Sequence, residues 1–310
     1  MIVALAGGTG AAKLLRGLVR VTEPSRLFIV GNTGDDLDWW GLRVSPDLDS
    51  VAYALAGLLD GTRGWGVRDD TFHCLEAMGR LGRDTWFRLG DRDLATHLHR
   101  TLLLRAGSSL TAATRAIADA LGVTARLVPM SDDPVRTELR TGIGWLSLEE
   151  FFVRERCSPE VLEVAYRGAE LARPAPDVLE AIGGAEAVVV CCSNPVTSIG
   201  PILAIPGIVD ALVRTPAPVV AVSPIVGGQA VSGPAAKLLA ARGLDVSPLG
   251  VARAYRPWLD ALIIDHTDVA SAPALERDGV RPVMTEALMR DSAAEARLAR
   301  AVLESVGAAA

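Results

Sequence analysis

Lysine is almost missing from this chain of 310 residues: Lys13 and Lys237 stand alone among 31 basic side chains. The formal net charge is -6, and neither sign forms a long block. That removes the electrostatic reason to expect nucleic acid or an anionic membrane as a partner. Any anion must be gripped locally. Cysteine is scarce too. Cys74, Cys157 and the adjacent Cys191 and Cys192 contain no C-x-x-C spacing, which argues against disulfides and structural zinc. The neighbouring pair ends the apolar run EAVVVCC and reads as two small buried hydrophobes. No stretch of about eighteen apolar residues is free of glycine, proline or charge. The opening MIVALA has neither the basic leader nor the length of a signal peptide. The expectation is a cytoplasmic protein without a membrane partner.

What is present is half hydrophobic, at 50%, with 22% charged residues, enough to bury one large α/β core. Apolar runs at IVALA, LFIV, AVVVCC, PVVAVS and ALIID are bounded by turn residues. Helical patterns such as DVLEAIGG, AAKLLAARG and SAAEARLARAVLESVG separate the later ones. Strands covered by helices on both faces lose their polar alternation, so these runs predict a mainly parallel, doubly wound, Rossmann-like sheet. Ligands of such folds sit at the carboxyl ends of the strands. Residues 62–125 have helical spacing and no strand, and read as a helical insertion within a single domain over 1–310. Residues 126–170 look more β-like, as short strands or a hairpin. The mean hydropathy of +0.30 leads us to expect a homodimer.

The first strand runs into Gly7, Gly8, Thr9 and Gly10 and then a helix. Bare glycines let the backbone approach an anion, and the first N–H groups of the helix are unpaired donors at its positive end. GGTG meets neither G-x-G-x-x-G nor the P-loop pattern, so a tight turn without a ligand is the competing reading. A second glycine turn, Gly31-Asn32-Thr33-Gly34, ends in Asp35 and Asp36. It stands where a dinucleotide site would carry its ribose-binding acid, which weighs against an NAD-dependent oxidoreductase.

Four further stretches put polar groups where this fold places ligands. In Ser45-Pro46-Asp47-Leu48-Asp49, an aspartate either caps the next helix or joins Asp35 and Asp36 as an oxygen cluster for Mg²⁺, which takes one or two carboxylates plus substrate phosphates. In Gly90-Asp91-Arg92-Asp93, Arg92 forks onto a phosphate or a carbonyl, or forms a solvated ion cluster. His97 and His99 lie two apart on a helix and face different ways, so they do not share a metal. Ser193-Asn194 and Gly227-Gly228, the latter followed by Lys237, each follow a strand and describe anion-binding or capping loops. Trp39 and Trp40 either stack on a planar ligand or fill core.

GGTGAAKLLRGL, GNTGDD, SPDLDSVAYALAG, RGWGVRDDTFH, LGDRDLATH, SNPVTSIGPILAIPGI and SPIVGGQAVSGPAAK stand in the order and spacing of one family. Over nearly its whole length the chain resembles the 2-phospho-L-lactate transferases of coenzyme F-420 biosynthesis, the CofD/FbiA family. The resemblance implies transfer of a phospho-three-carbon acid from a guanosine diphosphate-linked donor to the deazaflavin Fo, with Mg²⁺ assisting and GMP leaving. It implies that Asp49 and Arg92 hold Fo and that Asp35, Asp36 and Asp49 hold Mg²⁺ and do the catalysis; independently of the resemblance, Asp49 is the first candidate to accept the hydroxyl proton. Gly7, Gly8, Thr9, Gly10, Lys13, Ser193, Asn194, Gly227 and Gly228 would cradle the nucleotide diphosphate. The donor's acid, 2-phospholactate or phosphoenolpyruvate, stays open. A non-catalytic nucleotide-sugar-binding regulator of the related YvcK-like group is the alternative; it needs the cradle without the Fo site. Phosphoryl transfer asks for in-line positioning and neutralised oxygens rather than a covalent nucleophile, and the residues fit that demand.

Overall fold

The computed structural model describes residues 1–308. Seven strands form the central sheet: β1 (Ile2–Ala6), β2 (Leu27–Gly31), β3 (Arg126–Pro129), β4 (Ala187–Val190), β5 (Val219–Val222), β6 (Ala261–Asp265) and β7 (Arg281–Thr285). Their order is β7-β6-β5-β4-β1-β2-β3, and every pairing is parallel. This is the doubly wound arrangement, in which the chain lays β1, β2 and β3 outward in one direction and then returns to add β4 on the other side of β1. The crevice between β1 and β4 is therefore the place for a ligand.

Strand alternation divides the core into two faces. Ile2, Ala4, Leu27 and Ile29 pack against helix α1 (Gly8–Val21), helix α2 (Pro46–Leu55) and the C-terminal helix Ser292–Ser305. Val3, Leu5, Phe28 and Val30 pack on the opposite face, against Ile182, Ile199, Ile202 and Leu212 from later helices. Edge strand β7 is half exposed, and lacks the continuous apolar run of its neighbours. Gly17 lets α1 and the C-terminal helix touch backbone to backbone, since a Cβ there would overlap the Glu295 carbonyl.

The region read as a helical insertion holds α3 (His73–Arg80), α4 (Asp91–Arg105) and α5 (Leu110–Ala120). Its last helix is the crossover onto β3, with Leu110 and Ala118 in the same core as Leu127. The next segment forms a separate antiparallel sheet of Gly144–Ser147, Arg136–Thr141 and Val161–Arg167. Leu139, Leu146 and Val161 dock it on the main core. The Thr137 N–H donates to the Gly34 carbonyl at 2.7 Å, which ties this sheet to the turn after β2. All four cysteines are free. No single helix among the described residues is long and apolar enough to cross a membrane.

Candidate active site

A cleft of about 360 Å³ opens at the carboxyl ends of β1, β2, β4 and β5. Its floor is the glycine turn. Four N–H groups at the start of α1 lack helical partners. Asp47 Oδ1 accepts from Gly8 at 2.7 Å, and Ser193 Oγ stands 3.4 Å from the Gly7 nitrogen. Thr9 and Gly10 carry the two donors left for a ligand. The glycines are there for contact as much as for the ligand. A Cβ at Gly7 would lie 2.6 Å from Asp47 Oδ2, and one at Gly10 would overlap the Cys192 carbonyl. Cys192 itself lines the cleft and donates its thiol to the Gly10 carbonyl at 3.1 Å, while Cys191 is buried core as expected.

Three carboxyl groups from three segments line the cleft beside this turn: Asp35, Asp47 and Glu149. Burial raises Asp47 to about 6, against the pull of hydrogen bonds from Asn32 and Gly8. Burial and the neighbouring Asp47 charge push Glu149 up to about 8. Asp35 is raised well above the usual carboxylate range by burial and by the charges of Asp47 and Glu149. Its Oδ1 is enclosed with no hydrogen-bond partner among the described residues.

Asp36 and Asp49 are placed differently from the sequence expectation that groups them with Asp35 around one ion. Asp36 is turned into the protein, ion-paired to Arg43 at 3.2 Å and accepting from the Ser45 hydroxyl at 2.7 Å; it does not line the cleft. Burial nevertheless holds its carboxyl at about 7. Asp49 does line the cleft, but both its oxygens accept from the Arg100 guanidinium, which is 1% exposed. His97 Nδ1 stands 3.5 Å from Asp49, and His97 Nε2 stands 3.2 Å from Asp93, which also accepts from the Tyr53 hydroxyl at 2.8 Å. No three His, Cys, Asp or Glu side chains among the described residues converge at metal-ligand distance. An ion held here must draw on one or two carboxylates and on substrate oxygens, the usual arrangement for Mg²⁺. The orphaned Asp35 oxygen and the mutually repelling Asp35, Asp47 and Glu149 fit that demand.

Several expected groups lie elsewhere. Lys13 points away from the cleft to the Met289 carbonyl, 3.5 Å off. The Gly227 N–H already donates to Asp268 at 2.9 Å, so a protein carboxylate fills the place of an anion, and neither Gly227 nor Gly228 lines the cleft. Lys237 serves the carbonyls of Cys157, Ser158 and Pro159. Asn194 faces the cleft, but its side-chain oxygen accepts from the N–H groups of Val196 and Thr197. Arg92 is exposed, its side chain near the Arg68 carbonyl at 3.5 Å. The guanidinium that reaches the cleft is that of Arg88, which stacks over Phe72 at 4.7 Å. Asp70 and Asp91, two of the acids around Arg92, are caps. Asp70 accepts from the N–H groups of Arg92 and Asp93, and Asp91 accepts from those of His73 and Cys74, so each helix of the α3–α4 pair is capped from the other's approach. Trp39 packs with Trp86 and Phe87 in a satellite core, and neither Trp39 nor Trp40 reaches the cleft. Trp65, Phe87, Leu148 and Phe152 supply its apolar wall instead.

Glu149, Arg100 and Asp47 are the site residues that sequence reasoning overlooks or leaves as caps. Glu149 has a legible signal. Ser147 and Glu150 form a reciprocal capping box, with N–H donations at 2.9 and 3.2 Å, so the second of two adjacent glutamates has a structural task and the first does not.

The sheet order and a cleft at its switch point define a Rossmann-like α/β protein whose glycine turn faces an acidic wall. A family profile described as 2-phospho-L-lactate transferase CofD matches residues 2–304, and the chain belongs to that transferase family. It is 43% identical over 302 residues to the 2-phospho-L-lactate transferase of Methanosarcina acetivorans, covering 97% of this chain and 98% of the relative. It is 44% identical over 309 residues to the phosphoenolpyruvate transferase of Streptomyces griseus, covering 98% and 97%. A crystal structure of a UPF0052 family member from Bacillus halodurans shares the fold, with a TM-score of 0.65 over 97% of this chain and 98% of that one at 15% identity.

Proposed function

We propose that this enzyme transfers a 2-phospholactate or phosphoenolpyruvate group from a guanosine diphosphate-linked donor to the ribityl hydroxyl of Fo, giving coenzyme F-420-0 or its dehydro form and GMP. The observation that supports it most is one cleft that joins free N–H groups of Thr9 and Gly10, a three-carboxyl wall, and an apolar wall around Trp65 and Phe87. The first suits a diphosphate, and the last suits a planar deazaflavin.

In this reading, Asp49 is held in place by Arg100 and accepts the hydrogen bond of the acceptor hydroxyl, aiming its oxygen at the phosphorus that bears the acid. A new O–P bond forms there, the P–O bond to the GMP phosphate breaks, and the hydroxyl proton passes to Asp49 as the bond completes. Thr9 and Gly10 hold the donor's phosphate oxygens in line. One or two of Asp35, Asp47 and Glu149 would hold Mg²⁺, with substrate oxygens completing its shell, and the ion would neutralise charge on the transferring phosphate. The ring wall excludes water from the competing hydrolysis. The enzyme would work in the cytoplasm as a homodimer, a state supported by the exposed apolar side chains Ile143, Trp145 and Leu162 on the antiparallel sheet.

The test is mass spectrometry of the product after incubation with Fo, Mg²⁺ and each synthetic donor in turn. A phosphodiester of Fo and release of GMP are expected with at least one donor, and Asp49→Asn should abolish both. Donor binding without turnover would make the chain a nucleotide-binding regulator instead.

A further inference from the structure

A second cavity, of about 390 Å³, lies on the other side of the loop that follows α2. That loop is held as a short hairpin by the Leu59–Val67 bridge and by an Arg68 N–H donating to the Leu58 carbonyl at 2.8 Å. Trp65 and Gly66 at its tip line the cleft, whereas Leu59, Gly61 and Arg68 line the second cavity. The remaining walls are one face of α1 and the approach to the C-terminal helix, brought together by the backbone contact at Gly17.

The charge here is lopsided. Lys13, Arg16 and Arg20 are spaced to share a face of α1, and Arg68 and Arg290 come from two other segments. Only two carboxylates line the groove, Asp291 and Glu295. Both are committed. Asp291 caps the C-terminal helix through the Ala294 N–H at 2.8 Å, and Glu295 is buried against the Arg16 guanidinium. Lys13 and Arg68 find backbone carbonyls, those of Met289 and Gly57, which accept hydrogen bonds without neutralising charge, and Arg20 donates to the Ser292 carbonyl while sharing Glu295 with Arg16 at 3.9 Å. In a protein of net charge -6, such a surplus of cations around one polar hollow asks for an anion. Several guanidiniums at different angles suit tetrahedral phosphates better than a single carboxylate.

We propose that this groove is a second anion site, separate from the cleft, that takes a small oligophosphate, either inorganic or the phosphate tail of a nucleotide. Arg20 and Arg290 supply its outer contacts, and Lys13 and Arg68 its inner ones. The proposal does not depend on the transfer reaction.

Calorimetric titration of the whole protein with inorganic triphosphate, with and without saturating GDP, tests it. Binding should persist in GDP, weaken with salt, and fall about tenfold or more in an Arg20→Glu, Arg290→Glu double variant, the loss of two charge-assisted contacts. Arg20→Gln with Arg290→Gln should fall less and guards against misfolding by charge reversal; thermal melting checks both. GTP in place of triphosphate separates the sources, and a loss in the same variants shows that the phosphate tail is recognised. Absence of binding, displacement by GDP, or affinity unchanged in both double variants overturns the site.

Discussion

The Asp49–Arg100 pair is a buried, bidentate ion pair beside the cleft, and breaking it is informative. Both charges are buried, and Arg100 is clamped to both oxygens of Asp49. Taking one partner away strands the other in a poor solvent, a loss of about 3–5 kcal/mol. Arg100→Met would leave the buried Asp49 carboxyl without its partner; Asp49→Asn would leave a guanidinium that cannot give up its proton. Removing both relieves the stranded charge. The double variant Asp49→Asn, Arg100→Met should therefore be more stable than the sum of the single losses predicts, by about 2 kcal/mol or more. Urea denaturation of the four proteins at low temperature measures this, because a single loss of that size consumes much of an ordinary domain's stability of about 5–15 kcal/mol. The double variant should melt as a folded protein yet turn over no substrate, since the oriented carboxylate is gone. Single losses that add within about 0.5 kcal/mol would refute the coupling and with it the idea that Arg100 holds Asp49 in place.

Three other outcomes are expected. Glu149 has a folded-state value of about 8 against an ordinary 4.5, so the folded protein binds that proton more tightly than the unfolded chain. Stability is then lost as pH rises from about 4.5 through 8, with a ceiling of roughly 5 kcal/mol at about 1.4 kcal/mol per pH unit. Glu149→Gln should flatten that decline, and melting curves from pH 5 to 9 that run parallel for both proteins would count against it. Gly10→Ala forces the start of α1 away from the Cys192 carbonyl; turnover should fall about a hundredfold from misplaced N–H donors, and unchanged kinetics would remove those donors from the reaction. Chelation with EDTA should stop the reaction and excess Mg²⁺ restore it, whereas activity indifferent to chelator would dismiss the metal.

The parallel sheet was legible because its central strands are buried on both faces, and IVALA, LFIV and ALIID carry that burial in their composition. Strand β7 was not, because RPVMT lies half exposed at the sheet edge and begins with arginine and proline. The glycine turn and Asp49 were legible as candidates, and both line the cleft. Arg100 was not, because α4 inverts the usual helix pattern. Asp93, His97 and Arg100 recur at helical spacing on its buried face, while Leu98 and Leu102 are 46% and 62% exposed. A polar stripe at i, i+4 and i+7 beside outward leucines is the signal that was there to read. Asp47 misled differently. It stands in the first turn of α2, where acids usually serve their own helix, but its side chain caps α1.

That displaced cap bears on the chemistry of the whole cleft. At the N-terminus of α1, where an anion should be welcome, a carboxylate of the protein already occupies the Gly8 donor, with Asp35 and Glu149 beside it. A phosphate oxygen about 4 Å from one ionised carboxyl is repelled by roughly 4 kcal/mol at an effective dielectric of 20. The two remaining donors, at about 1.5–3 kcal/mol each for bonds to a charged group, offset one such carboxylate and not three. Either the carboxyls are protonated, which their raised values allow below about 6 for Asp47 and below about 8 for Glu149, or a divalent cation stands between them and the phosphate. The two cases separate by pH. Protonation predicts that metal-free binding of GDP strengthens below pH 6 and fades above 8, and the cation predicts that Mg²⁺ abolishes this dependence. Titrations of GDP at pH 5.5 and 8.5, with and without Mg²⁺, distinguish them, and GDP affinity that ignores both variables would mean the diphosphate does not meet the acidic wall at all.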